Sequence, residues 1–482
     1  MKSYDFNSIF LNQLNKILFK FNYKINYDYK FDKISKIDLF EKKIQLEKNK
    51  KNRYQLSKDF IKQFPDNPKS HLALTVSLFK NFDLSWIEQS HKYAKVRNDW
   101  IENNQLADFE YEFIGAENII GSLGNHAAIE GLINANKYQL RSKKKINLFL
   151  SKKDAKLRNK TLFKYFEPHL NILENQKVYS SYREFESHLR LPMGFLLPSY
   201  NKSIFYDFLP SLIKKKQYDE SGYQPLFKLS NEDKEKGKLA LKEIGVKEDD
   251  WYVTIHIREP GYRGETKKNS LENFRNSNPL NYTSAIKYIT DQGGWVFRMG
   301  DNSMTKLPRM RKVIDYCHSD IKSDFLDVYL AATSRFCIGT PSGYYTLADF
   351  FGVPILLTNL AWLSPYYTLG KKDLFTPRVI KKNNEILSLD TMLQNPYIFL
   401  NSDNEYKNYN VETVENSSED ILNGTIEMLE KTSEKPKVET SNLQDKFRDL
   451  AEKKIYNLTK EQFYSHGNIS SAFLEKNNKY LF

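Results

Sequence analysis

Cysteine is nearly absent from this chain of 482 residues, where only Cys317 and Cys337 occur. Two cysteines cannot build a disulfide framework or a cysteine-based zinc site. Both stand in apolar stretches, so buried free thiols are expected. Glycine, at 19, and proline, at 16, are scarce, which excludes a linker-dominated or collagen-like chain. No run approaches the roughly 18 apolar residues of a membrane span. Residues 1–22 lack the continuous apolar core and small-residue cleavage site of a signal peptide. A cytoplasmic protein is therefore expected.

Acidic residues are outnumbered, 60 against 73 basic ones, for a net charge of +13. A basic surface favours anionic partners. The basic residues are spread out, and no compact basic–aromatic motif is present, so nucleic acid is not expected as a partner. The densest run, Lys42 to Arg53, is broken by Glu47 and apolar residues and reads as a solvated helix face, with membrane-surface attachment as the weaker reading.

What the chain does have is 40% hydrophobic, 28% charged and 14% aromatic residues, a globular composition. Its length allows about three domains at roughly 150 residues each. Residues 1 to about 105 carry apolar positions at three- and four-residue steps and read as helical throughout. Near residue 110 the pattern changes to strand, glycine turn, helix, strand, the start of an α/β unit. From Ser230 the alternation is clearest. Strands are expected at Trp251–Ile257, Trp295–Arg298, Val313–Asp315, Arg335–Gly339 and Pro354–Leu357, with helices between them. That order implies a parallel sheet flanked by helices. Beyond about 380 the sequence turns polar. It offers a capped helix from Ser417, a charged linker at 431–440, and helices from Asp445.

Four segments could carry chemistry. In Thr254-Ile-His256-Ile-Arg258-Glu259, His256 and Arg258 share one strand face at the carboxyl end, where α/β sheets gather function. The planar fork of Arg258 suits two phosphate oxygens, and a carboxylate partner is the ordinary alternative. Phe297-Arg298-Met299-Gly300-Asp301 repeats the arrangement on the next strand. Gly339-Thr-Pro-Ser342-Gly343 precedes a helix whose free N–H groups could hold phosphate, with Ser342 donating or merely capping. No Walker-type Lys–Ser/Thr pair follows, which rejects a P-loop. In Gly121-Ser-Leu-Gly124-Asn125-His126, the glycines allow close backbone approach and His126 could be a general base or a structural histidine.

These segments, with Asn281-Tyr282, Ile314-Asp315-Tyr316, Asp327-Val-Tyr329-Leu330 and Ile469-Ser-Ser-Ala-Phe-Leu474, resemble a little-characterised bacterial family assigned as glycosyltransferases. The resemblance spans roughly residues 110–475 and is strongest over 251–357. The His256-x-Arg258 strand end is also similar to the one with which fucosyltransferases hold the donor diphosphate. The resemblance implies a GT-B-like α/β fold: two Rossmann-like domains with a cleft between them, preceded by an α-helical N-terminal region. Expected domains are 1–105 (helical), 106–229 (acceptor side), 230–400 (nucleotide-sugar side) and 401–482 (C-terminal helices).

The implied activity is sugar transfer from a nucleotide sugar to a surface-glycan or lipid-linked acceptor, with peripheral inner-membrane association. No cofactor is expected beyond the donor as co-substrate. No Asp-x-Asp motif stands in the C-terminal half, which fits a metal-independent mechanism. His256, Arg258, Arg298, Gly300, Asp301, Ser342 and Gly343 are expected on the diphosphate side. Gly121, Gly124 and Asn125 form the acceptor-side loop. His126, Glu117 and Glu259, in that order, are candidates for the base. Two alternatives use the same parts: a transferase with another phosphorylated donor, pyruvyl or sulfuryl, or a non-enzymatic helical-repeat interaction protein with a degenerate α/β domain.

Overall fold

The computed structural model describes residues 23–25, 31–33, 35–103, 111–113, 121–134, 137, 146–149, 157–173, 194–197, 202–205, 224–261, 270, 272–361, 363, 369–435, 441–459 and 466–482. The chain divides into two compact units, one of residues 1–110 and 175–204, the other of 111–174 and 205–482.

The first unit is mainly helical. Helices α1 (Lys36–Leu46), α2 (Lys50–Gln63), α3 (Pro68–Lys80) and α4 (Trp86–Asn103) start at the polar caps and turns of the sequence. Ser35, Asn49 and Asn67 accept hydrogen bonds from the first-turn amides of the first three. Phe40, Phe60 and Phe64 pack as a trio beside the buried Ile44, Leu72 and Val76. The basic run is largely exposed, as a solvated helix face requires. The N-terminal stretch is not helical throughout: β1 (Tyr23–Ile25) and β2 (Phe31–Lys33) form an antiparallel pair. Tyr23, Ile25, Tyr27, Tyr29 and Phe31 recur every second residue, which is a strand period and not a helical one.

The second unit begins with three parallel strands, β3 (Tyr111–Phe113), β4 (Ile146–Phe149) and β5 (Leu170–Leu173), with helices α5 (His126–Asn134) and α6 (Lys160–Phe166) between them. Helix α7 (Asn231–Glu243), capped by Ser230, leads into the main sheet. The order along the chain is β6 (Tyr252–His256), α8 (Thr283–Asp291), β7 (Trp295–Met299), β8 (Val313–Ile314), α9 (Asp324–Thr333), β9 (Cys337–Gly339), α10 (Tyr344–Phe350), β10 (Ile355–Leu360) and β11 (Leu374–Pro377). A small antiparallel sheet follows: β12 (Val379–Lys382), β13 (Glu385–Ile386) and β14 (Val411–Val414). Helix α11 (Ser418–Lys431) opens with a capping box between Ser417 and Asp420. Then come α12 (Asn442–Thr459), β15 (Asn468–Ile469) and α13 (Ser471–Leu481).

The seven main strands lie side by side as β8-β7-β6-β9-β10-β11-β15, all parallel. Val253, Ile255, Val296, Ile338 and Leu356 are fully buried on one face and Thr254, Phe297, Cys337 and Leu357 on the other, so the sheet is covered on both faces, as parallel sheets are. The chain is thus a mixed α/β protein with a helical N-terminal region. The polar reading beyond 380 misses β12 to β15, because strands of two to four residues carry too little alternation to register. Both cysteines are buried and free. Of the linker at 431–440, residues 436–440 lie outside the described residues. Among the described residues, no helix is long and apolar enough to cross a membrane.

Candidate functional site

The sheet order reverses between β6 and β9: from β6 the chain first builds one flank, then returns to build the other. Open α/β sheets bind ligands beyond the carboxyl ends of the strands at such a reversal. His256, the last residue of β6, is in register with Gly339, the last residue of β9. The two motifs singled out from the sequence are therefore neighbours. The Thr340 N–H donates to the His256 carbonyl at 3.2 Å, and the Arg258 N–H donates to Thr340 Oγ1 at 2.8 Å. Ser342 Oγ lies 3.0 Å from His256 Nδ1. The His256 ring stacks on Tyr344, with centroids 5.4 Å apart. Burial, and then the nearby Arg298 charge, push the His256 pKa down to about 3. The imidazole is neutral at ordinary pH.

Arg258 is half-buried and anchored at its tip. It donates to the Glu272 carboxylate at 2.6 Å, to the Glu272 carbonyl at 3.2 Å and to Asn276 Oδ1. Arg275 shares the same Glu272 oxygen at 3.0 Å and donates through Nε to the Pro341 carbonyl at 2.9 Å. Arg298 has a different setting. It is wholly buried, and its guanidinium is paired with Glu259, with Asp315 at 3.5 Å and with Cys317 Sγ at 2.6 Å. It offers no donor to solvent and acts on the site by fixing Glu259. The second Glu259 oxygen is taken by the N–H and hydroxyl of Thr305, at 3.1 and 2.5 Å.

Gly300 adopts φ +145, and an added Cβ would meet Met304 Sδ at 2.0 Å, so only glycine fits the turn after β7. Asp301 accepts the Ser303 N–H at 2.8 Å and so holds this same turn.

The 121–126 turn joins the site from the other part of the unit. A Cβ on Gly343 would fall 2.4 Å from the Gly124 nitrogen, so the two glycine turns meet backbone to backbone. Gly121 is half-buried and Asn125 exposed. His126 is fully buried; its Nδ1 donates to the Ser122 carbonyl at 2.9 Å, and its Nε2 has no partner. That bond puts the proton on Nδ1 and leaves a lone pair on Nε2. Burial, its largest influence, holds the His126 pKa below its usual value. An aromatic group of Phe166, Phe227 and Phe350 locks the turn against α10, with His126 5.5 Å from Phe166.

Neither His126 nor Glu259 presents a free basic atom to solvent here. Glu117 lies outside the described residues.

One group among the described residues has the make-up of a metal site: Asp315, Cys317 and His318, with ligand atoms within 4.8 Å of one another. The Arg298 guanidinium already occupies its centre of negative charge, and burial pushes the Cys317 thiol up to about 12. With the guanidinium on Cys317 and Asp315, and His318 Nε2 2.9 Å from the Met304 carbonyl, these ligand atoms already have protein partners.

The structure thus brings together His256, Arg258, Ser342, Gly343, Gly124 and His126. Sequence reasoning missed Glu272, Arg275, Asn276 and Thr340. Thr340 stands inside a motif singled out above, but the others come 16 to 20 residues after His256 in a stretch that carries no recognisable motif.

No family model and no curated protein matches the chain. Among solved structures, it is similar to the iron-containing dodecameric glycosyltransferase TibC from enterotoxigenic E. coli, at 14% identity and a TM-score of 0.26, over 49% of this chain and 55% of that one. The complex of the TibC heptosyltransferase with ADP-D-β-D-heptose gives 14% identity and a TM-score of 0.27, over 48% and 56%. The chain spans about half the length of the structures it matches. Likeness at this level fixes no shared activity.

Proposed function

We propose that the chain is a glycosyltransferase of the GT-B type, moving a sugar from a nucleotide-sugar donor to a surface-glycan or lipid-linked acceptor without a metal ion. The observation that carries this reading is the meeting of His256, Arg258, Ser342 and Gly343 at the reversal of a seven-stranded parallel sheet. The motif resemblance supports it. Strands β3 to β5 and the main sheet would be the two Rossmann-like halves.

In this reading, the acceptor oxygen forms a bond to the anomeric carbon. The bond from that carbon to the diphosphate oxygen breaks, and its electron pair leaves with the nucleoside diphosphate. Arg258 neutralises the growing charge, while Ser342 and the Gly343 N–H bind diphosphate oxygens. Arg298 and Asp301 position the strand ends. Of the candidate bases, His126 and Glu259 present no free basic atom to solvent, which leaves Glu117 to take the acceptor proton. The net charge of +13 suits work close to anionic lipid.

The test is release of nucleoside diphosphate from a panel of nucleotide sugars, with crude surface glycan as acceptor. Turnover with one donor, unchanged by EDTA and at least about 100-fold lower in Arg258→Ala, is expected. Turnover that survives Arg258→Ala contradicts the reading. Turnover only with phosphoenolpyruvate or a sulfuryl nucleotide moves the chain to another transferase class.

A further inference from the structure

Arg258 follows β6 directly and Arg275 comes 17 residues later in the sequence, yet both guanidinium groups hold one oxygen of Glu272, at 2.6 and 3.0 Å. One oxygen gripped by two guanidinium groups is the geometry in which arginines take a phosphate oxygen. The trio is not a loose surface contact. Asp403 accepts the N–H groups of Asn273 and Phe274, both at 2.8 Å, and Phe274 packs on Tyr406 at 5.1 Å. Arg378, buried, donates to the Asn276 carbonyl. Arg275 reaches the Pro341 carbonyl at 2.9 Å, beside Ser342. The Glu272 side chain itself is only partly buried, so it can swing into water while both arginines stay held by their other partners.

We propose that Glu272 is a resident stand-in for the donor's diphosphate, and that Arg275 is a second diphosphate-binding residue. The incoming diphosphate displaces the Glu272 carboxylate from Arg258 and Arg275. Two guanidinium groups then face the ligand without an internal counter-ion. The carboxylate keeps the paired arginines compensated in the empty protein and competes with weakly bound single anions. This inference rests on the donor-site reading above, and adds to it a gating residue and a further ligand contact.

The test is calorimetry with inorganic pyrophosphate on the full chain. Removing a competing, partly exposed ion pair is expected to tighten pyrophosphate binding about fivefold in Glu272→Gln. Glu272→Asp, one methylene too short to bridge both arginines, is expected to shift affinity the same way and serves if the glutamine variant fails to fold. Arg275→Ala should weaken binding about tenfold. If both Glu272 variants bind as wild type or more weakly while Arg258→Ala abolishes binding, the displacement proposal is overturned and the donor site stands. If wild type and the Glu272 variants all fail to bind pyrophosphate, the donor-site reading falls, and the proposal with it.

Discussion

Gly124 and Gly343 touch backbone to backbone, and a Cβ on Gly343 would stand 2.4 Å from the Gly124 nitrogen. Two turns more than 200 residues apart in sequence are thereby held in one site. Gly343→Ala forces them apart and is expected to cost about 1–3 kcal/mol, the usual range for overpacking. Gly124→Ala meets Gly343 at 3.0 Å and should cost less. Urea denaturation of both variants checks this. An alanine at 343 as stable as wild type would mean that the turns do not meet.

Arg298 is the buried cation of the site, and Glu259 is its counter-ion. Arg298→Met strands the carboxylate in a dry environment and is expected to cost about 3–5 kcal/mol. The double variant with Glu259→Gln should recover part of that loss. Equal stability of the single and double variants would show that the pair is not coupled.

Stability should depend on pH through His256. Its folded pKa is about 3, against an ordinary value of 6.5. The unfolded chain therefore binds a proton that the folded chain refuses. Stability is full above about 6.5 and is lost as pH falls towards 3. His126, also lowered by burial, acts in the same direction. His256→Asn should reduce the slope of melting temperature against pH below 6.5 without removing it. An unchanged slope would contradict the neutral, enclosed imidazole.

Asp403 caps two amides of the segment that carries Glu272 and Arg275. Asp403→Ala leaves both without that partner and is expected to cost about 1–3 kcal/mol. Pyrophosphate affinity should fall with it, and Asp403→Asn should restore part of both. Calorimetry and denaturation together separate this from a purely structural loss, in which affinity would hold.

The main sheet was legible because its strands are short apolar runs between well-capped helices. Ser230, Ser323 and Ser417 cap helices that start where the acidic first turns indicate. His256 and Gly339 could be placed at strand ends, but their adjacency depends on the order of strands, which no local pattern encodes. The same limit hid Glu272 and Arg275, which reach the site only because Asp403 and Arg378 fold their segment back. The burial of Arg298 was hidden for a related reason. A strand-end arginine looks the same in sequence whether it faces a ligand or a carboxylate from the neighbouring strand's loop.

In the proposed donor-site reading, the reversal of the sheet binds the diphosphate of a nucleotide sugar through Arg258. Thermal shift against nucleoside diphosphates and nucleotide sugars, with and without EDTA, tests it most directly, because a ligand of the folded state raises the melting temperature. A rise with one nucleotide, indifferent to EDTA and lost in Arg258→Ala, is predicted. No rise with any of them, or a rise that Arg258→Ala leaves intact, contradicts the claim.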